Sequence, residues 1–182
     1  MSERTLWPAD AAAQWWRGLQ DQFENGQPNP RADRAARARL RRASLAEALT
    51  DPAFFALHTR LFPSDRRVDR LRASARVALV LAHVRDDDRQ RPFGRTIGAP
   101  EFDKENEAPL KPLRFKRLLQ ARDDEDVVRE FRRAVDLAGG KTNVRDLARL
   151  LLDWADDKRG ETARARLAFD YYAASEAAPA LS

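Results

Sequence analysis

Apolar residues recur at spacings of three and four from Asp10 to Tyr172, and no stretch alternates with the period of two that a half-buried strand needs. Asp10 opens a first helix whose apolar face is Trp16, Leu19 and Phe23, and Asn25-Gly26 with Pro28 and Pro30 closes it. A second helix packs through Ala36, Leu40 and Ala43 and is expected to reach about Leu49. Asp51-Pro52 is an N-cap followed by a proline at the first helical position, which starts a short helix through Phe54, Phe55 and Leu61 that Pro63-Ser64 breaks. A longer helix follows through Val68, Leu71, Ala75, Ala78, Leu79 and Ala82. Pro112 starts the next, and Asp123 to Asp126 fill the first turn of another, where carboxylates suit the helix dipole. Gly139-Gly140 stops that one, and Thr142 or Asn143 caps a helix whose Val144, Leu147, Ala148, Leu151, Trp154 and Ala155 keep a 3.6-residue period. After Lys158-Arg159-Gly160 a last helix carries Leu167, Phe169, Tyr171 and Tyr172. The pattern predicts an all-α bundle of about eight helices without a sheet.

Residues 85–110 are aperiodic and hold two glycines and three prolines, which is long for a loop inside a compact domain. They read as a hinge between two helical lobes, 1–98 and 99–182, or as a functional loop. Phe93, inside this stretch, is the aromatic with the weakest claim to the core.

Composition supports helix: seven glycines in 182 residues, and many Ala, Leu and Arg beside few β-branched residues. Charge is abundant and uneven. Residues 1–100 carry a net +6, residues 101–182 a net −1, and arginines outnumber lysines 29 to 5. With no cysteine, disulfides and thiolate metal sites are excluded. No apolar run reaches membrane-spanning length and the N-terminus lacks the layout of a signal peptide, so a cytoplasmic protein with no membrane partner is expected.

Two basic stretches stand out. Arg31 to Arg42 holds six arginines and one aspartate. On a helix Arg34, Arg37 and Arg41 fall within an arc of roughly 60°, away from the packing face. Like charges there call for carboxylate partners or an anionic ligand, and the guanidinium fork suits phosphate. The plainer reading is a solvated face in an arginine-rich chain. The second stretch is Lys111 to Leu119, where Phe115, Leu118 and Leu119 form the buried arc and Arg114 and Arg117 lie at its rim. Arg132, Arg133 and Lys141 form a weaker cluster near a helix end.

Catalytic chemistry is missing from the pattern. His58 and His83 each sit inside a helix, as satisfied or exposed side chains, and Asp86-Asp87-Asp88 reads as a solvated loop. No phosphate-binding loop, nucleophile elbow or metalloprotease motif occurs. No catalytic residue, metal site or cofactor is expected. Trp16 and Trp154 read as core anchors.

The order of these features resembles the CasB family, the small subunit of the type I-E CRISPR Cascade surveillance complex. The resemblance rests on Trp15-Trp16-Arg17-Gly18-Leu19, on Arg37 to Ala43, on Arg114-Phe115-Lys116-Arg117-Leu118-Leu119, and on Asn143-Val144 leading to Leu147 and Trp154, with Arg164 to Tyr172 closing it. Residues 60–105 carry no part of it. It implies a two-lobed helical protein present as two copies in a larger ribonucleoprotein, without catalysis of its own. The other Cascade subunits, the crRNA and single-stranded target DNA are the implied partners. The implied role is to hold the DNA strand displaced in the R-loop and to help position the guide–target duplex during antiviral defence. By the motif match Arg37, Arg41, Arg42, Arg114 and Arg117 inherit the nucleic-acid expectation. Arg34 joins them from helix geometry, and Arg31, Arg132, Arg133 and Lys141 are weaker candidates. Two other readings stay open: a scaffold whose arginines grip acidic protein surfaces, and a helical regulator that reads duplex DNA.

Overall fold

The computed structural model describes residues 7–20, 23–24, 27–28, 33–100 and 107–173. Ten helices run through them: α1 (Pro8–Gly18), α2 (Arg34–Arg42), α3 (Leu45–Ala48), α4 (Pro52–Leu61), α5 (Val68–Leu81), α6 (Phe93–Ile97), α7 (Pro112–Gln120), α8 (Asp124–Leu137), α9 (Val144–Asp153) and α10 (Gly160–Tyr172). Two-residue strands make two small pairings, β1 (Phe23–Glu24) antiparallel to β2 (Gln27–Pro28) and β3 (Asp86–Asp87) parallel to β4 (Lys141–Thr142). Neither builds a layer, and the fold is all-α, as the periodicity predicts.

The helix ends follow local chemistry. The side chains of Asp51, Asp123 and Asn143 accept from the backbone N–H groups of Ala53, Asp126 and Asp146, capping α4, α8 and α9. Gly139 and Gly140, with φ of 71° and 77°, end α8 in the left-handed region that glycine enters without strain. Two boundaries differ from the sequence reading. The basic helix stops at Arg42, because Ser44 and Glu47 form a reciprocal capping box that starts α3. The first helix stops at Gly18, and Phe23 falls in β1.

A continuous hydrophobic core runs from Ala11 in α1 to Tyr171 in α10. α5 is central, packing against α2, α3, α4, α8 and α9, while α9 also packs on α1. Helices on both sides of residues 98/99 therefore share this core. The 85–110 stretch is more structured than its aperiodicity suggests. Its Phe93 and Ile97 are fully buried, and α6 packs closely on α10. Residues 101–106 of this stretch lie outside the described residues.

The C-terminal end of α5 is where the first helices meet the core. The Val84 carbonyl accepts from Trp16 Nε1 (3.3 Å), Gln20 Nε2 (3.2 Å) and Arg37 Nη2 (3.0 Å). Orphan carbonyls at a helix end need such donors when water is excluded. At the other end of the chain, Tyr171 stacks on Phe115 with ring centroids 3.7 Å apart and donates its hydroxyl to the Leu110 carbonyl at 2.7 Å. Trp154 donates Nε1 to Ala121 O at 3.2 Å. Trp16 and Trp154 are core anchors, as expected.

Candidate nucleic-acid interface

α7 and α8 leave between them an open groove of about 840 Å³, walled by Arg114 and Arg117 on one side and by Arg129, Arg132 and Arg133 on the other. Phe115 and Leu118 point into the core, which turns Arg114 and Arg117 outward. On α8, positions 129, 132 and 133 share one face at spacings of three and four. Val128 and Leu137 form apolar parts of the lining, and Glu125 and Asp136 are the carboxylates in it. Arg129 pairs with Asp126 (2.5 Å) and Glu130 (3.4 Å) and Arg133 with Glu130, so the positive charge left in the groove is carried by Arg114, Arg117 and Arg132.

α2 reaches this groove with its C-terminal end. Arg132 donates Nη2 to the carbonyls of Leu40 and Ala43, both at 2.9 Å, and Nε to Leu79 O at 3.2 Å, which ties α2, α5 and α8 together. His83 sits at the same junction, with Nδ1 3.1 Å from Asp136 Oδ1 and Nε2 3.3 Å from the Arg41 carbonyl. Burial pushes its imidazole below the ordinary value, against the opposing pull of Asp136. Burial likewise lowers the Arg132 guanidinium.

The arginines singled out from the sequence separate into distinct environments. Arg41, Arg42, Arg114 and Arg117 are exposed and make no ion pair among the described residues. Arg37 is different. It is half-buried, and its Nε and Nη2 cap the carbonyls of Ala82 (3.1 Å) and Val84. Arg34 is exposed at the opposite end of α2, about 10 Å along the helix axis from Arg41. Arg132 is committed to backbone carbonyls, and Arg133 pairs with Glu130 at 3.5 Å. Lys141 lies in a separate hollow with Trp16, Arg17 and Asp86. Arg31 lies outside the described residues. Arg129, which sequence reasoning passed over, lines the groove, and its spacing from Arg132 and Arg133 was the available signal. Arg39 pairs with Asp51, the α4 cap, at 2.8 Å.

His58 lies between Ser74 Oγ (2.8 Å) and the Asp65 carbonyl (2.7 Å), and Asp87 accepts from the Val144 N–H and pairs with Arg89. Among the described residues no three His, Cys, Asp or Glu side chains group as metal ligands.

The sequence profile of the family described as CRISPR-associated protein Cse2 matches residues 36–172. The chain belongs to the Cse2 family. CasB and Cse2 name the same small subunit, so the resemblance carried by the tryptophan pair and the arginine-rich segments holds. The chain is similar to TTHB189, a Cse2-family protein of Thermus thermophilus, with 29% identity and a TM-score of 0.65 over 92% of this chain and 99% of that one. It also shares its fold with a chain of Escherichia coli Cascade bound to a PAM-containing double-stranded DNA target, with 21% identity and a TM-score of 0.61 over 90% and 95%. No curated protein sequence matches the chain. Much of the segment that identifies this Cse2 protein is structural: Arg37, Phe115, Trp154 and Tyr171 all hold the core or its helix ends. No helix among the described residues is long and apolar enough to cross a membrane.

Proposed function

We propose that this Cse2-family chain is a non-catalytic subunit of a crRNA-guided Cascade complex, where it holds the displaced DNA strand and helps position the guide–target duplex. Its partners on this reading are the other Cascade subunits, crRNA, target DNA and a second copy of the chain. The observation that carries the reading is that Arg114 and Arg117, on the groove, and Arg41 and Arg42, at the end of α2 that Arg132 ties to α8, have no carboxylate partner among the described residues. Uncompensated guanidinium groups gain most from a polyanion, because binding releases its condensed counterions. A subunit that serves any spacer must contact phosphates and not base edges, and arginines without an accompanying aromatic stripe suit that task. R-loop formation exchanges DNA–DNA for RNA–DNA pairing at near balance, so a few backbone contacts tip it; the balance is known for Cas9-type effectors and extends here by analogy. Arg34 extends the track along α2. Arg37 holds α2 in place beneath it.

The test uses the quadruple variant R41A/R42A/R114A/R117A, whose substituted side chains are exposed. For single-stranded DNA the slope of log affinity against log salt is about −0.7 per phosphate neutralised, so four lost contacts flatten it by about 3 and each pair by about 1.4. The loss is equal for unrelated DNA sequences. An unchanged slope in the folded variant overturns the reading, and altered assembly with intact DNA binding favours the scaffold. The purified chain is expected to cleave neither DNA nor RNA, with or without magnesium.

A further inference from the structure

Between the end of α1 and the β3–β4 pairing lies a hollow of about 600 Å³, lined by Trp16, Arg17, Asp86, Asp87, Arg89 and Lys141. Two of its charges cancel, since Asp87 accepts from Arg89 Nε at 2.9 Å and from the Val144 N–H at 3.1 Å. Arg17 and Lys141 make no ion pair among the described residues, which leaves two cations against Asp86 and one positive charge in excess. Arg85, whose side chain packs over Gly140 next to Lys141, brings a further cation without an ion pair. Arg17 is half-buried, and its Nε is sealed from solvent without an acceptor. Packing has therefore fixed the side chain in advance, while the chain gives its guanidinium no hydrogen bond among the described residues. A cation in the last turn of α1 also suits the helix dipole. That role needs Arg17 alone and makes no use of Lys141 on the same hollow.

The hollow adjoins the α2 junction. The Val84 carbonyl receives both Trp16 and Arg37; one residue earlier His83 touches Asp136 of the α7–α8 groove, and two residues later Asp86 lines the hollow. Residues 83 to 86 span at most about 11 Å of chain. The hollow therefore lies close to the groove, past the end of α5.

From this arrangement we infer that the Arg17–Lys141 hollow is a second phosphate-binding site, taking one phosphodiester of the single strand that the α7–α8 groove holds. The inference rests on the strand-holding reading and adds to it a site outside the groove. A phosphodiester carries one negative charge, which matches the single excess charge of the lining. An arginine fork and a lysine ammonium are the donors that phosphate oxygens take best. A protein side chain finds less here. The one large apolar residue in the lining, Trp16, is fully buried and offers no exposed surface for an anchor.

The experiment measures binding of random-sequence single-stranded DNA by the full chain across a salt series. It compares wild type, the double variant Arg17→Gln/Lys141→Gln, the single variant Lys141→Glu and the groove variant R41A/R42A/R114A/R117A. We expect the double variant to flatten the slope of log affinity against log salt by about 0.7, one phosphate contact, against about 3 for the groove variant. Lys141→Glu weakens binding in the same direction, and the loss is equal for unrelated DNA sequences. Circular dichroism checks the fold. Lys141 is exposed, so Lys141→Glu decides the matter if loss of the half-buried Arg17 unfolds the double variant. Wild-type affinity and slope in Lys141→Glu and in a folded double variant overturn the inference alone, and the groove variant's own loss then still upholds the strand-holding reading. A double variant that binds DNA normally but fails to join the other Cascade subunits also overturns it, by giving the hollow to a protein neighbour. A wild type without salt-sensitive binding of single strands overturns the strand-holding reading and, with it, this one.

Discussion

Arg37 and Arg41 lie one turn apart on α2, yet the first donates to the carbonyls of Ala82 and Val84 and the second is exposed. Removing Arg37 takes a donor from the part-buried Ala82 carbonyl, while Val84 keeps Trp16 and Gln20, and the unpaired acceptor costs about 1–3 kcal/mol. Arg41→Ala stays within about 0.5 kcal/mol, as exposed substitutions usually do. Urea unfolding of the two variants checks the difference, and equal losses would contradict the assigned roles. The helix arc placed both arginines on one stripe. It could not show that the carbonyls capping Arg37 arrive from residues 82 and 84, because that acceptor pair exists only after α5 has docked. A third side chain gives a pH signature. Asp156 accepts from Arg159 Nη2 and from the backbone N–H groups of Lys158 and Arg159, which hold its carboxyl at about 2. Because the folded value is depressed, the contribution is full above the ordinary aspartate range and fades as pH falls toward 2. Asp156→Asn therefore narrows its stability gap to wild type between about pH 5 and 2, where thermal melts compare the two.

Among elements, the pairing of α6 with α10 is the tightest fit. A Cβ placed on Gly98 would stand 2.3 Å from the Tyr171 carbonyl oxygen, and one on Gly94 would stand 2.5 Å from Asp170 Cβ. Both glycines are set by close approach, with no left-handed φ at either. Gly98→Ala pushes α6 off α10 and destabilises by about 1–3 kcal/mol, the usual cost of overpacking, read as a lowered melting temperature. Phe93 and Ile97 would lose packing in the same step. α4, α8 and α9 were legible in advance, since Asp51, Asp123 and Asn143 act within three residues of their own positions, whereas the Ser44 cap of α3 was read through as one longer helix. α6 was not. Five residues show too little of the helical period to register between Pro92 and Gly98, and its burial is decided by α10, some 70 residues away in sequence. The arginine groove fell between these cases. Arg114 and Arg117 could be placed on a rim from α7 alone, but their partner wall on α8 emerges only when the two helices meet.

At the scale of the whole molecule, α5 gathers both halves of the chain around one core, and Arg132 fastens α2, α5 and α8 through three carbonyls. We propose that residues 1–98 and 99–182 unfold together, as a single transition whose calorimetric and van't Hoff enthalpies agree. Two separate melting steps would contradict that. The Val84 carbonyl gives this architecture an unusual substitution map. It receives Trp16, Gln20 and Arg37, yet it belongs to the main chain, so no codon change at position 84 can delete it. A saturation library scored for folded protein would record residue 84 as tolerant of small apolar replacements, limited only by its burial. Positions 16, 20 and 37 would record the damage instead. The hub of the junction would thus be silent in such a screen, and its place would have to be read from three intolerant positions whose bonds all end on its main chain.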